Sequence, residues 1–279
     1  MTGRLHPGRL GRRILGRDAY HTYLRPLRHK VGKRTYDAKA YYDARYEIAC
    51  REGEFTDATA MQPGHNPLRT QYSYNAIENA ILEALIPSPP AEGFSVLDVG
   101  SGAGHWIAFY REALGAGPIT GVELSAPAVE GLRRRFAGSD RVEIVEADVS
   151  EAGFSLGRTF DVVNAVGVLY HVVDDDAWRR AVANLGAHLG PGGRLVIADR
   201  ITVVSLDAGF HRSDSFASWE EEKAARPERM LVGKRLRSRR AWRGAVAAAG
   251  LEQTASVPVR KSRSILTPTN AVLVARRAG

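Results

Sequence analysis

Residues 94–106 read Phe94-Ser-Val-Leu-Asp-Val-Gly-Ser-Gly-Ala-Gly-His-Trp106, an apolar run that drives into a glycine-rich turn. Ser95 to Val99 predict a short buried strand. Gly100, Gly102 and Gly104 predict the sharp turn after it, where a Cβ would obstruct close approach of the backbone to a ligand. The amides that open the following helix are then expected to face that ligand. A second apolar run, Ile119 to Val122, ends in Glu123, an acid placed to accept hydrogen bonds from both hydroxyls of a ribose. A glycine turn followed by such an acid is the pattern of an adenosine-ligand site.

The spacing separates two kinds of adenosine ligand. A dinucleotide fingerprint counted from Gly100 needs glycine at position 105, where the chain has His105. The pattern Asp98-x-Gly-x-Gly-x-Gly104 instead resembles motif I of the class I S-adenosylmethionine-dependent methyltransferases. Further pieces resemble the same family in chain order. Val142-Glu-Ile-Val-Glu-Ala-Asp148-Val149 resembles its third strand and acidic tip, Phe160 to Val172 its fourth strand and following loop, and Leu189-Gly-Pro-Gly-Gly-Arg-Leu-Val-Ile197 its turn into strand five. The resemblance covers about residues 94 to 200.

The resemblance implies an α/β fold: a Rossmann-like, seven-stranded, mostly parallel sheet with an antiparallel last strand, an N-terminal helical extension and an insertion after strand five. The periodicity agrees, predicting strands at 95–99, 118–123, 142–147, 160–165 and 193–199, with helices near 104–115, 126–137 and 174–189. A helix at 238–249 and strands near 252–259 and 270–276 follow. The expected organisation is a basic arm over 1–35, a helical cap over 36–92 and the methyltransferase domain over 93–279, with a polar, substrate-side insertion at about 200–236. The cap holds the aromatic stretch Tyr36 to Glu54, an irregular loop over 56–68 and a helix over 71–85.

The implied cofactor is S-adenosyl-L-methionine, leaving as S-adenosyl-L-homocysteine. Its expected ligands are Asp98, Gly100, Ser101, Gly102, Gly104, Glu123, Leu124, Asp148, Val149 and Asn164, with Tyr72 at the mouth of the site. Asp148 is expected at the adenine amino group or as a cap of the segment after it. His171, in the loop after strand four, is the first candidate general base, with packing beneath the donor as its plainer role. His65 and His211 are further candidates, and His105 is expected to shape the pocket. Asn164 and Asp199 lie near the tips of strands four and five, but the acid a magnesium site needs at the first of these positions is absent, so no metal is expected.

Composition bounds the rest. Of 279 residues, 44% are hydrophobic and 25% charged, an ordinary globular balance. No apolar run approaches the roughly 18 residues needed to span a bilayer, and no signal-peptide core opens the chain, so a cytoplasmic protein is expected. Cys50 is the single cysteine, which excludes an internal disulfide. Residues 1–34 carry ten basic side chains against Asp18, so this arm at +9 exceeds the net charge of +8 and the body is close to neutral. A solvated arm, an anionic membrane surface, a nucleic-acid contact and a homodimer contact all remain open for it.

The favoured reading is methyl transfer to oxygen or nitrogen of a small molecule such as a sugar, a secondary metabolite or a lipid-linked intermediate. The loop after strand four begins Asn164-Ala-Val-Gly167 and lacks the Pro-Pro-aromatic run of base-amine methyltransferases. An RNA-modifying enzyme that uses the basic arm, and a subunit that holds the donor without catalysis, are the alternatives.

Overall fold

The computed structural model describes residues 36–57, 59, 67–202, 205–211, 218–259 and 269–277. The basic arm and His65 lie outside them, as does the side chain of His211.

At the centre is β1 (Val96–Val99), buried along its whole length. It pairs in parallel with β2 (Ile119–Glu123) and with β4 (Phe160–Val166). β3 (Val142–Glu146) extends the sheet beyond β2, and β5 (Leu189–Thr202) extends it beyond β4, again in parallel. β9 (Thr269–Arg277) then runs antiparallel to β5, and β8 (Leu251–Pro258) runs antiparallel to β9. This is the expected seven-stranded frame with its antiparallel last strand inside the sheet.

Helices cover both faces, as parallel strands apolar on both sides require. α2 (Pro67–Leu85), α3 (His105–Ala108) and α4 (Ala126–Arg135) pack with Val96, Val162 and Val196 on one face. α5 (Asp175–Ala187) and α7 (Arg239–Ala248) pack with Leu97, Val163 and Leu195 on the other. The helix expected over 104–115 is shorter than its periodicity predicts: after one α-turn it widens into a π-turn over Phe109–Ala113. The wider turn goes with two adjacent buried aromatics, Phe109 and Tyr110.

Secondary structure also occurs among the described residues of the expected insertion over 200–236. It holds β6 (Leu206–His211), α6 (Trp219–Ala225) and the start of β7 (Leu231–Ser238). β6 and β7 pair antiparallel, and Arg237 and Ser238 pair in parallel with Ile201 and Thr202 at the end of β5, giving a nine-stranded sheet among the described residues. β7 carries no alternating signal, because its burial does not alternate and Arg237, 2% exposed, is buried like its apolar neighbours Leu231, Val232 and Leu236.

α1 (Ala38–Arg51) is capped by Asp37, whose side chain accepts from Ala40 N–H at 3.0 Å. Its Tyr41, Ala44, Ile48 and Ala49 form a separate small core with Met230 and Val232 of the insertion. The cap therefore divides. α1 belongs with the insertion over the carboxyl ends of the strands, whereas α2 packs on the sheet.

Candidate active site

Gly100, Gly102 and Gly104 take φ of +67°, +58° and +94°, a left-handed run that turns the chain between β1 and α3. Their neighbours differ. A Cβ on Gly104 would lie 2.7 Å from the Phe136 ring beyond the end of α4, so this glycine serves helix packing. A Cβ on Gly100 would lie 2.3 Å from Val168, in the loop after β4. Ser101 is buried, its hydroxyl donating to Asp98 O at 2.9 Å.

Glu123, 6% exposed at the tip of β2, accepts from Gly102 N–H at 2.8 Å through Oε2, and from Leu124 and Ser125 N–H at 2.8 and 3.1 Å through Oε1. The Gly102 amide thus faces this carboxylate. Burial raises the Glu123 pKa against the three N–H groups that lower it. Each carboxylate oxygen has two lone pairs, so Glu123 keeps one acceptor position, on Oε2, for a ligand hydroxyl. Asp148, beyond β3, accepts from Ser150 N–H at 2.7 Å through Oδ1, so it caps the segment after it while bordering the cavity.

Beneath the turn, Asn164 Nδ2 donates to Asp98 Oδ1 at 2.7 Å, and Asn164 Oδ1 accepts from the Tyr110 hydroxyl at 3.2 Å. Both residues are fully buried, and Asp98 Oδ2 has no hydrogen-bond partner. Burial pushes the Asp98 carboxyl up to about 7 despite the bond from Asn164.

The loop after β4 carries a short turn, Leu169–His171. His171 Nδ1 lies 3.1 Å from Gly233 O in β7, which puts the proton on Nδ1 of the neutral ring and makes Nε2 its basic nitrogen. From the same strand, Arg237 donates to Leu169 O, Val172 O and Asp174 O at 3.4, 2.8 and 3.2 Å. The inserted strand therefore holds this loop at two points.

These groups border one cavity of about 280 Å³. Gly100, Gly102, Glu123, Leu124, Asp148 and Val149 line it, as do Val168, His171 and Val172. Asp98, Ser101, Gly104 and Asn164 are not among its lining residues. Tyr72 does not join them: it is 60% exposed on α2, in a separate shallow groove with Asn75 and Pro258. His105 is held between Asp57 Oδ2 at 2.8 Å and Glu78 Oε1 at 2.7 Å, stacked on Tyr74, and ties α3 to α2. Asp199 is buried and pushed up to about 7 by burial. Tyr36, Tyr42 and Tyr46 also line the cavity. Sequence reasoning read them only as an aromatic helix; their signal was tyrosine at near-helical spacing ahead of the domain.

Residues 96–193, which include the turn, both acidic strand tips and the His171 loop, match the family described as "Methyltransferase domain". Over those residues the chain is similar to methyltransferases. An O-methyltransferase of Pyrenophora dematioidea is 30% identical over 149 residues, 52% of each chain. Nodulation protein S of Sinorhizobium fredii is 29% identical over 201 residues, 70% of this chain and 80% of that one. Toward the first curated relatives it matches, the chain spans about half their length, 52% of one and 42% of the next. A solved S-adenosylmethionine-dependent methyltransferase from Clostridium acetobutylicum has the same fold, with a TM-score of 0.55 at 12% identity over 76% of this chain and 95% of that one. The matched residues hold β1 to β4 and the start of β5, and α1 and the β6–β7 hairpin lie outside them.

Proposed function

We propose that this protein transfers a methyl group from S-adenosylmethionine to an oxygen or nitrogen atom of a small molecule. The observation that carries the reading is the shared cavity: adenosine-type acids Glu123 and Asp148 border it together with His171. Glu123 would take a ribose hydroxyl through Oε2 and Asp148 the adenine amino group through its second oxygen, while Asp98, buried beneath the turn, would hold the turn's shape. The donor, when bound, supplies an electrophilic methyl group on a sulfonium. The chain supplies position, exclusion of water by α1 and the loop after β4, and a proton acceptor in His171 Nε2. Much of the rate of such a transfer comes from alignment and desolvation.

Thermal stabilisation by S-adenosylhomocysteine, S-adenosylmethionine and NAD tests the reading. A ligand at a hundredfold its dissociation constant stabilises by about 2.7 kcal/mol. The two sulfur ligands are expected to stabilise the wild type, and Glu123→Ala to lose most of that gain. Stabilisation by NAD alone, or by none of the three, overturns it. Among the described residues no helix is long and apolar enough to cross a membrane.

A further inference from the structure

His105 opens α3 directly after the glycine turn and lies between two carboxylates. Its Nδ1 is 2.8 Å from Asp57 Oδ2, in the segment after α1, and its Nε2 is 2.7 Å from Glu78 Oε1 on α2. An ionised carboxylate only accepts, so both contacts are hydrogen bonds only when both ring nitrogens carry protons. A neutral ring has one N–H and turns a lone pair toward the other carboxylate. The side chain is 13% exposed and stacks on Tyr74 at 3.5 Å between centroids, which leaves it little room to turn away.

Asp57 reaches the turn by a second route. Its Oδ1 accepts from Arg135 at the end of α4, and the same guanidinium nitrogen donates at 2.6 Å to Ala103 O, between Gly102 and Gly104. The segment that holds Asp57 is in turn bound to α1, where Arg45 Nε donates to Thr59 O at 2.9 Å. Tyr42 and Tyr46 of α1 line the cavity, as do Gly100 and Gly102 of the turn. Asp57 and His105 therefore join two walls of one cavity.

The groups that face the ring are Asp57, Glu78, Tyr74, Arg135 and, beneath the turn, Asp98. Burial raises Asp57, but the bonds from His105 and Arg135 bring it below the ordinary carboxylate range. The Tyr74 hydroxyl donates to Asp57 O at 2.8 Å, and burial raises its pKa, so it keeps its proton. Burial also raises Asp98, with the charge of His105 among the groups that oppose it. Asp57 is fixed by Arg135, whereas Glu78 has no other hydrogen bond among the described residues. The neutral ring thus keeps its N–H toward Asp57 and loses its bond to Glu78.

We propose that His105 is a positioning residue for the donor: as an imidazolium it ties the segment after α1 and helix α2 to the glycine turn, and release of its Nε2 proton to solvent frees α2 and weakens donor binding. This rests on the methyl-transfer reading above and makes the hold on the donor depend on pH. Donor affinity falls as pH rises.

The test measures binding of S-adenosylhomocysteine to the full chain by calorimetry from about pH 6 to about pH 9, in wild type, His105→Gln and Glu78→Gln. Each variant is read as its ratio to wild type at the same pH, so that ionisations common to both cancel. His105→Gln is expected to bind about three- to tenfold more weakly at the acid end, the size of one charge-assisted hydrogen bond. It should approach wild type at the alkaline end, where wild type has lost the same bond. Glu78→Gln should bind more tightly than wild type at the alkaline end, because an amide accepts from the imidazolium and donates to the neutral ring. Should His105→Gln not fold, Glu78→Gln decides alone. Ratios that stay constant with pH overturn the inference and leave the donor site standing. Failure of S-adenosylhomocysteine to bind wild type at any pH overturns both.

Discussion

The Arg237 guanidinium lies 4.3 Å over the Trp178 ring, joining inserted strand β7 to helix α5 at the foot of the His171 loop. It also donates to Asp175 Oδ1 at 3.2 Å through Nε and to three loop carbonyls. Burial lowers its pKa to about 10, against Asp175, which raises it. Arginine suits this place because a planar fork can stack and donate in several directions at once.

Arg237→Met should therefore cost about 3 kcal/mol, since it leaves buried loop carbonyls without their donor and Asp175 with Arg235 alone. Urea denaturation measures this. Arg237→Lys should recover only part of the loss. Methyl transfer should fall in both variants, whereas affinity for S-adenosylhomocysteine should change less than threefold, because Arg237 does not line the cavity.

Glu123 accepts three backbone N–H groups, so its removal acts on the protein without ligand as well. Glu123→Ala is expected to lower stability by about 2 kcal/mol, and Glu123→Gln by less because it keeps one acceptor oxygen. Melting temperatures with and without S-adenosylhomocysteine separate the structural loss from the lost ligand stabilisation. A variant as stable as wild type would show that the turn does not depend on this carboxylate.

The two outer glycines of the turn should separate under substitution by alanine. Gly104→Ala places a Cβ against Phe136 at φ +94° and should cost about 1–3 kcal/mol, with little change in ligand affinity of the folded protein. Gly100→Ala places one against Val168, a cavity wall, and should weaken both stability and acceptor binding. Equal losses of affinity in the two variants would contradict this division.

Burial raises Asp98 and Asp199 to about 7 from an ordinary value of 3.8. Between those values the native state binds protons that the unfolded chain has released, so these residues make stability fall as pH rises from about 4 through about 7. Asp57 runs the other way. Although burial alone would raise it, hydrogen bonds from His105 and Arg135 lower its pKa, so its contribution is present above the ordinary carboxylate range and lost as pH falls below it. Asp199→Asn should gain stability relative to wild type across pH 4 to 7 and level off above. A difference independent of pH would refute the assignment for Asp199.

The frame of the fold was legible because its signals are local. A short apolar run ending in glycines, an acid at the next strand tip and a Pro-Gly-Gly turn each lie within a dozen residues, and all occur where a parallel sheet needs them. Glu123 and Asp148 were legible for the same reason. Tyr72 was misplaced because a helical tyrosine faces ligand or water depending on a rotation that apolar spacing does not resolve at a boundary. β7 was missed because its residues fell in a stretch read as a polar insertion, whereas Asp175, Trp178 and the loop carbonyls make burial of Arg237 favourable.

The order of strands, the left-handed turn and the carboxylates at the strand tips follow from the sequence, through steric limits on glycine and burial of alternating apolar side chains. The meeting of Tyr36, Tyr42 and His171 at the cavity was decided by tertiary structure alone. Tyr36 and Tyr42, His171, and Gly233 lie in three segments separated by more than a hundred and by more than sixty residues, and no local rule links them. They meet because α1 buries Tyr41, Ala44 and Ile48 against Met230 and Val232 of the insertion, a contact between two elements neither of which can cover its apolar side alone.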